Sequence, residues 1–420
     1  MASCPPGECP AMSFFVASAA SFLRRVLDVF LRPTVFLPVA VAAYLAINVL
    51  GLTAALHEEK GRADLVSGDT GHYLDIGRTF ATGDFSMAYV RDKPHRQPLY
   101  PLLLSPVFRW GNGSLFALAA VNIVVGALTL VLIYEGIRRR LGQPLVAAGM
   151  AVLFVVNDFM LSQTTRHLLT EPLHVLLMTG IILALLRYLE TRQIGALLGA
   201  AALTGLDYLA RPNGLFVMAA LLVTLLAGES WPRLRGRELV KKAALYGAAL
   251  IVFMIVSAPS WIPREKYFGS PFYHGYLSNY LWVDTYKEGH VGQREAIYGW
   301  RDYVRTHSVG DAIRRGAWGI WEVTVAIPCR VEGRVPLLFV LALGGVLMAA
   351  LRGPKSLRLL LLFAAIQLLP LMWTHLSNPT VRVPYASTIP FEIIFAASFL
   401  ACLVACKCWP HGGRSMGNAA

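Results

Sequence analysis

Residues 114–140 read SLFALAAVNIVVGALTLVLIYEGIRRR. From Ser114 to Tyr134 no residue carries a charge, and Arg138, Arg139 and Arg140 then follow together. A helix rises about 1.5 Å per residue, so roughly 20 apolar residues cross about 30 Å of hydrocarbon. This stretch is therefore a membrane span closed by a basic turn. Nine further apolar stretches give spans over 33–56, 144–161, 171–189, 195–210, 213–228, 242–262, 335–351, 358–374 and 383–406, with 114–135 as the second. The expected fold is an all-α polytopic membrane protein of about 10 transmembrane helices. Composition agrees: the 420 residues are 56% hydrophobic and only 15% charged, with mean hydropathy +0.54. A soluble globule of this size is less apolar.

Short basic turns orient such a chain. Arg138–Arg140, then Arg233, Arg235, Arg237, Lys241 and Lys242, then Arg352, Lys355 and Arg358 fall on one side if ten spans hold. That side is read as cytoplasmic, with both termini on it. The net charge of +13 is largely this bias, so no nucleic-acid partner is expected. The N-terminus does not read as a cleaved signal, because no basic residue precedes its apolar run. In 1–32, Leu23, Val26, Leu27, Phe30 and Leu31 oppose Arg24, Asp28 and Arg32. This suits either a cytoplasmic interfacial helix or a helix leading into the first span. The three expected regions are 1–32, a membrane domain over 33–406 and a cytoplasmic tail over 407–420.

The six cysteines do not make a disulfide framework. Cys4, Cys9, Cys402, Cys406 and Cys408 fall in or near the cytoplasmic end, leaving Cys329 alone outside. Cys406, Cys408 and His411 lack a fourth metal ligand, and no metal site is expected. Juxtamembrane thiols are open to acylation, which the sequence does not decide.

Two long extracytoplasmic loops remain, 57–113 and 263–334, and loops of that length usually carry function or their own structure. The first contains Ser67-Gly68-Asp69-Thr70-Gly71-His72-Tyr73, with a short helix predicted over Gly71–Phe80. Tyr73 and Gly77 share a face of that helix, which holds Asp69 at or before its start. An aspartate there is a helix cap or a catalytic group. Asp75, Asp84 and Asp92 read as solvated charges. The short turns on the same side contain Arg166 with His167 and Glu171, then Arg211, then Arg382. Three guanidinium groups converging near Asp69 would make an anion site. Snorkelling to lipid headgroups is the plain alternative, and for Arg211 so is an ion pair with Asp207 four residues earlier.

Asp69-Thr70-Gly71-His72-Tyr73, His95-Arg96-Gln97-Pro98-Leu99-Tyr100-Pro101, Leu168-Leu169-Thr170-Glu171-Pro172-Leu173 and Tyr208-Leu209-Ala210-Arg211-Pro212-Asn213-Gly214 resemble, in order, the motifs of the glycosyltransferase C-fold superfamily. The resemblance is to its bacterial protein-mannosyltransferase-like and aminoarabinose-transferase-like branches. Tyr267–Phe272 and Arg382-Val383-Pro384-Tyr385 resemble later landmarks, so the likeness runs from about residue 33 to 406. It implies an enzyme of the bacterial inner membrane, its active site facing the periplasm or cell exterior, that moves a sugar from a polyprenyl phosphate to a lipid, glycan or protein acceptor. Asp69 matches the family's first-loop catalytic acid. Thr70 stands where a second acid often lies, so Glu171 would have to supply one.

Within that reading Asp69 is the general base of an inverting displacement. Arg166, Arg211 and Arg382 hold the phosphate, and His95 and Arg96 contact sugar or phosphate. Tyr73, His167 and Glu171 complete the candidate substrate-binding set, while Gln97 orients the loop. The polyprenyl-phosphate sugar is a substrate, and no cofactor is expected. Aromatic residues of the second loop lie at the interface or stack on an acceptor. The rival readings are a secondary transporter and a non-catalytic assembly subunit; Glu392, the ionisable group inside the last span, is one that either an enzyme or a transporter could use.

Overall fold

The computed structural model describes residues 29, 31–66, 68–229, 236–275, 280–291, 299–331, 336–377 and 380–405. The amphipathic pattern before Leu31, Arg233, Arg235, Tyr276, Tyr298, the tail, and Cys4, Cys9, Cys406, Cys408 and His411 lie outside the described residues. Among the described residues the chain is helical and contains no strand. It is an integral membrane protein with six helices long and apolar enough to span a bilayer: α1 (Pro33–His57), α5 (Leu115–Leu141), α8 (Glu171–Thr191), α11 (Arg237–Phe268), α15 (Lys355–Thr374) and α16 (Arg382–Ala405). Between α1 and α5 lie α2 (Glu59–Val66), α3 (Asp69–Ala81) and α4 (Leu99–Trp110).

The other expected spans fall on shorter pieces. The stretch 144–161 is two helices, α6 (Pro144–Val155) and α7 (Asp158–Thr165), bent by 52° at the break. Asn157 causes the restart: its side chain accepts the Met160 amide at 3.0 Å, capping α7, and its amide group meets the Tyr385 hydroxyl at 3.3 Å. Helices α9 (Ile194–Ala210), α10 (Gly214–Gly228) and α14 (Leu337–Arg352) are apolar but shorter, at 17, 15 and 16 residues. The described residues thus give six spans by length, or seven counting the bent pair, against the ten expected.

The helix predicted over 71–80 begins at Asp69 itself. Helix α11 continues through Pro259 and Pro263 to Phe268, so the second loop opens on helix. Its 32 residues span about 48 Å, more than the hydrocarbon, so its last turns extend beyond it. In that loop lie α12 (Trp300–Thr306) and α13 (Val309–Trp321). Val309, Ile313, Trp318 and Ile320 of α13 are exposed, while Gly319 packs on the backbone of Met372 at the end of α15. That is the arrangement of an interfacial helix.

The last helix forms the centre of the bundle. Every residue from Pro384 to Ser398 is buried, Glu392 among them. It is packed by α14, where a Cβ on Gly345 would stand 2.0 Å from the Phe395 carbonyl oxygen. Only glycine permits that approach.

The two ends of the bundle are chemically distinct. At one end Arg140 pairs with Glu190 at 2.7 Å, Lys242 with Glu229 at 3.0 Å, and the Lys355 ammonium donates to the Gly228 carbonyl at 2.5 Å. The basic turns at Arg138–Arg140, Lys241–Lys242 and Lys355 therefore gather together. Helix α8 runs from Glu171 to Glu190 and its last turn, so Glu171 lies at the opposite end. Cys329 and Cys402 are free thiols.

Candidate active site

At the end opposite the basic turns, residues from six stretches of the chain surround a small cavity of about 130 Å³, lined in part by Asp69, Tyr73, His95, Arg96, Glu171, Arg211 and Arg382. Asp69 opens α3. One carboxylate oxygen pairs with Arg96 and the other with Arg382. Both oxygens face guanidinium groups, so its main partners are distant side chains and not the helix amides. Burial pushes the Asp69 carboxyl up, but Arg96 and then Arg382 outweigh it and hold its pKa at about 2.

Arg96 is fixed from three sides. Its Nε donates to His72 Nδ1 at 3.2 Å, its guanidinium stacks 5.2 Å from the Tyr73 ring, and its own carbonyl accepts from Arg264 at 3.1 Å. Arg264, fully buried near the end of α11, also donates to the Pro94 carbonyl at 2.7 Å. Gln97 accepts the Ser260 hydroxyl at 2.6 Å and lies 3.5 Å from His274, which in turn meets the Tyr208 hydroxyl at 3.2 Å. Gln97 thus anchors the loop that presents Arg96. Arg264 and His274 were not singled out from sequence. The sequence signal was weak, because Arg264 stands in the charged run Arg264-Glu265-Lys266 after Pro263.

Glu171 and Arg211 complete the cluster. Arg211 Nη1 lies 3.1 Å from Glu171 Oε1, and Arg382 Nε lies 3.6 Å from the same oxygen. The Arg211 contact is a charge contact without the alignment of a hydrogen bond. Asp207 is not its partner, since that carboxylate pairs with His174 at 2.6 Å. Three guanidinium groups here face two carboxylates. One positive charge is left over, and His95 adds none near neutral pH, because burial and then Arg96 depress its pKa to about 3.

One expected member, Arg166, sits apart, and another, His167, borders the cluster without lining its cavity. Arg166 is exposed and lines a separate cavity of about 550 Å³ with Glu58, Lys60, Asp64 and Asp158. The reason is local: the chain turns at the end of α7, and Arg166 follows that short helix outward. His167 is partly buried beside the cluster; burial and then Arg382 lower its pKa, and its carbonyl accepts from Asn122 at 3.1 Å. Asp75, Asp84 and Asp92 are solvent-facing. Among the described residues no group of three or more His, Cys, Asp or Glu is gathered as for a metal.

A second cavity of about 390 Å³ shares Arg211, Pro212, Tyr280 and Val383 with the charged one and continues along Leu215, Phe216, Pro370 and Leu371. A charged chamber thus adjoins an apolar groove along α10 and α15.

The family model of dolichyl-phosphate-mannose-protein mannosyltransferase matches residues 92–262. Over that stretch the chain is similar to mannosyltransferases of the glycosyltransferase C superfamily. The matched stretch contains Arg96, Glu171 and Arg211; Asp69 and Arg382 lie on either side of it. With the long apolar helices, the match supports a membrane glycosyltransferase of the glycosyltransferase C type. No curated protein matches it.

Proposed function

We propose that this membrane glycosyltransferase takes a sugar from a polyprenyl monophosphate and passes it to a hydroxyl of a lipid, glycan or protein acceptor on the extracytoplasmic face. The observation that carries the reading is the adjoining pair of cavities. Arg211 lines both the charged chamber and the apolar groove. A phosphate carrying a polyprenyl chain has that same division between anion and hydrocarbon.

In this reading Arg211 and Arg382, with Arg96 beside them, bind the phosphate. The acceptor oxygen attacks the anomeric carbon, and the bond from that carbon to the phosphate oxygen breaks. Polyprenyl phosphate leaves with the bonding electrons, its charge held by the guanidinium groups. The acceptor proton passes to Asp69, and direct displacement inverts the centre. A carboxylate clamped by two arginines is a weak base, and an incoming phosphate offers those arginines another anion. Asp69 is then released from part of its pairing and its basicity rises.

Ten crossings, both termini in the cytoplasm and a bacterial inner membrane with the site facing the periplasm fit this chemistry, because the charged cavity lies opposite the basic turns. Purified protein incubated with a panel of polyprenyl-phosphate sugars and membrane extract, followed by mass spectrometry of lipids and glycans, tests the reading. Sugar transfer from a carrier lipid is the expected result. Proton-gradient-dependent uptake without transfer would make the protein a transporter, and transfer from a nucleotide sugar alone would refute the carrier.

A further inference from the structure

Glu171 opens α8, Arg211 follows α9 and Arg382 opens α16. About one turn deeper, the same three helices are tied by a second set of side chains. His174 is three residues after Glu171, Asp207 four before Arg211, and Ser387 five after Arg382. His174 Nδ1 lies 2.6 Å from Asp207 Oδ1, and its Nε2 lies 3.0 Å from Ser387 Oγ. All three residues are fully buried. The second Asp207 oxygen has no hydrogen-bond partner, so this carboxylate depends on the imidazole. A buried carboxylate that loses its partner is strongly disfavoured, and the spacing of α8 and α9 is thereby constrained. The Asp207 backbone carbonyl also accepts the Arg211 amide at 2.7 Å, where the chain leaves the helix.

A serine, a histidine and an aspartate in sequence suggest a nucleophile, but none of the three lines the charged cavity. They act through the residues above them. We infer that Asp207, His174 and Ser387 form a positioning relay that sets the mutual placement of Glu171, Arg211 and Arg382, and hence the grip on the carrier phosphate. The inference rests on the carrier reading given above. An imidazole suits the task, because a rigid ring with a nitrogen on each side holds its two neighbours at a fixed separation.

Donor titrations at fixed membrane extract, and extract titrations at fixed polyprenyl-phosphate sugar, test the relay with wild type and variants in nanodiscs. His174→Ala should lower kcat/KM for the donor about tenfold or more, the scale expected when a binding group is displaced, and leave the extract dependence unchanged. His174→Gln, which keeps one donor and one acceptor, should recover most of the loss. Combined with Arg211→Gln, His174→Ala should add little to the Arg211 defect, because coupled residues are not additive. Where His174→Ala does not fold, Ser387→Ala decides: a donor-side loss at unchanged melting temperature supports the relay. Wild-type donor kinetics in the folded variant, multiplicative losses in the double variant, or equal loss toward donor and extract would overturn it. Wild type that transfers from no carrier lipid fails at the first step and refutes the carrier reading itself.

Discussion

Arg382, at the start of the last helix, closes on Asp69 across 313 positions of chain, while its Nε stays 3.6 Å from Glu171. One guanidinium thus bridges the first outer loop and the third long span. The candidate base and the candidate phosphate site are parts of one charge network.

Asp69→Asn should insert and fold but lose about 100- to 10,000-fold in transfer, because the amide cannot take the acceptor proton. Turnover at matched expression is the check. Undiminished turnover would leave Asp69 as a counter-ion for Arg96 and Arg382.

Arg211→Gln and Arg382→Gln should each raise the donor KM, whereas Arg166→Gln should leave it unchanged because Arg166 faces another cavity. Arg382→Lys restores charge without the planar fork and should recover only part of the loss. Donor titrations decide, and a defect confined to Arg166 would reverse the assignment.

Acid should destabilise the fold chiefly below pH 6.5. His95 and His274 both have pKa values lowered by burial to about 3 from 6.5, so the unfolded chain binds more protons between those limits. Stability is therefore full above pH 6.5 and falls as pH drops toward 3. Asp69, held at about 2 from 3.8, adds a further loss only below about pH 4. Melting temperature against pH should fall through this window, and His95→Asn should flatten the slope.

Gly214→Ala should destabilise the turn that carries Arg211. A Cβ there would lie 2.3 Å from the Tyr208 amide nitrogen, a backbone clash that the neighbour cannot relieve by rotating. Such overpacking costs about 1–3 kcal/mol, to be read as a lowered melting temperature in detergent.

A cysteine at position 84 in a cysteine-free background should label in intact cells, and one at position 139 only after permeabilisation. The basic turns at the end opposite Asp69 motivate this. The reverse pattern would invert the orientation.

The membrane class was legible from residues 114–140 alone, since the apolar run and the three arginines after it need no partner to be read. Span number was less so. Asn157 looks like one polar residue in an apolar run, yet as a cap it splits 144–161 into two bent helices. Gly214 and Pro212 likewise mark a turn in sequence without saying how close Tyr208 comes.

The sequence by itself determined what the chain dissolves in, which turns are basic, and that Asp69, Tyr73, His95, Arg96, Arg166, His167, Glu171, Arg211 and Arg382 are the residues to watch, because hydropathy and residue type are local properties. Tertiary structure alone decided which of them meet. Arg211 sits four residues after Asp207, a spacing that suits a helix pair, but the helix ends before Arg211 and turns its side chain to Glu171, while the packing of α8 and α16 gives Asp207 to His174. A charge buried in an apolar bundle pairs with whatever partner the helices bring within reach, and that depends on their packing rather than on distance along the chain.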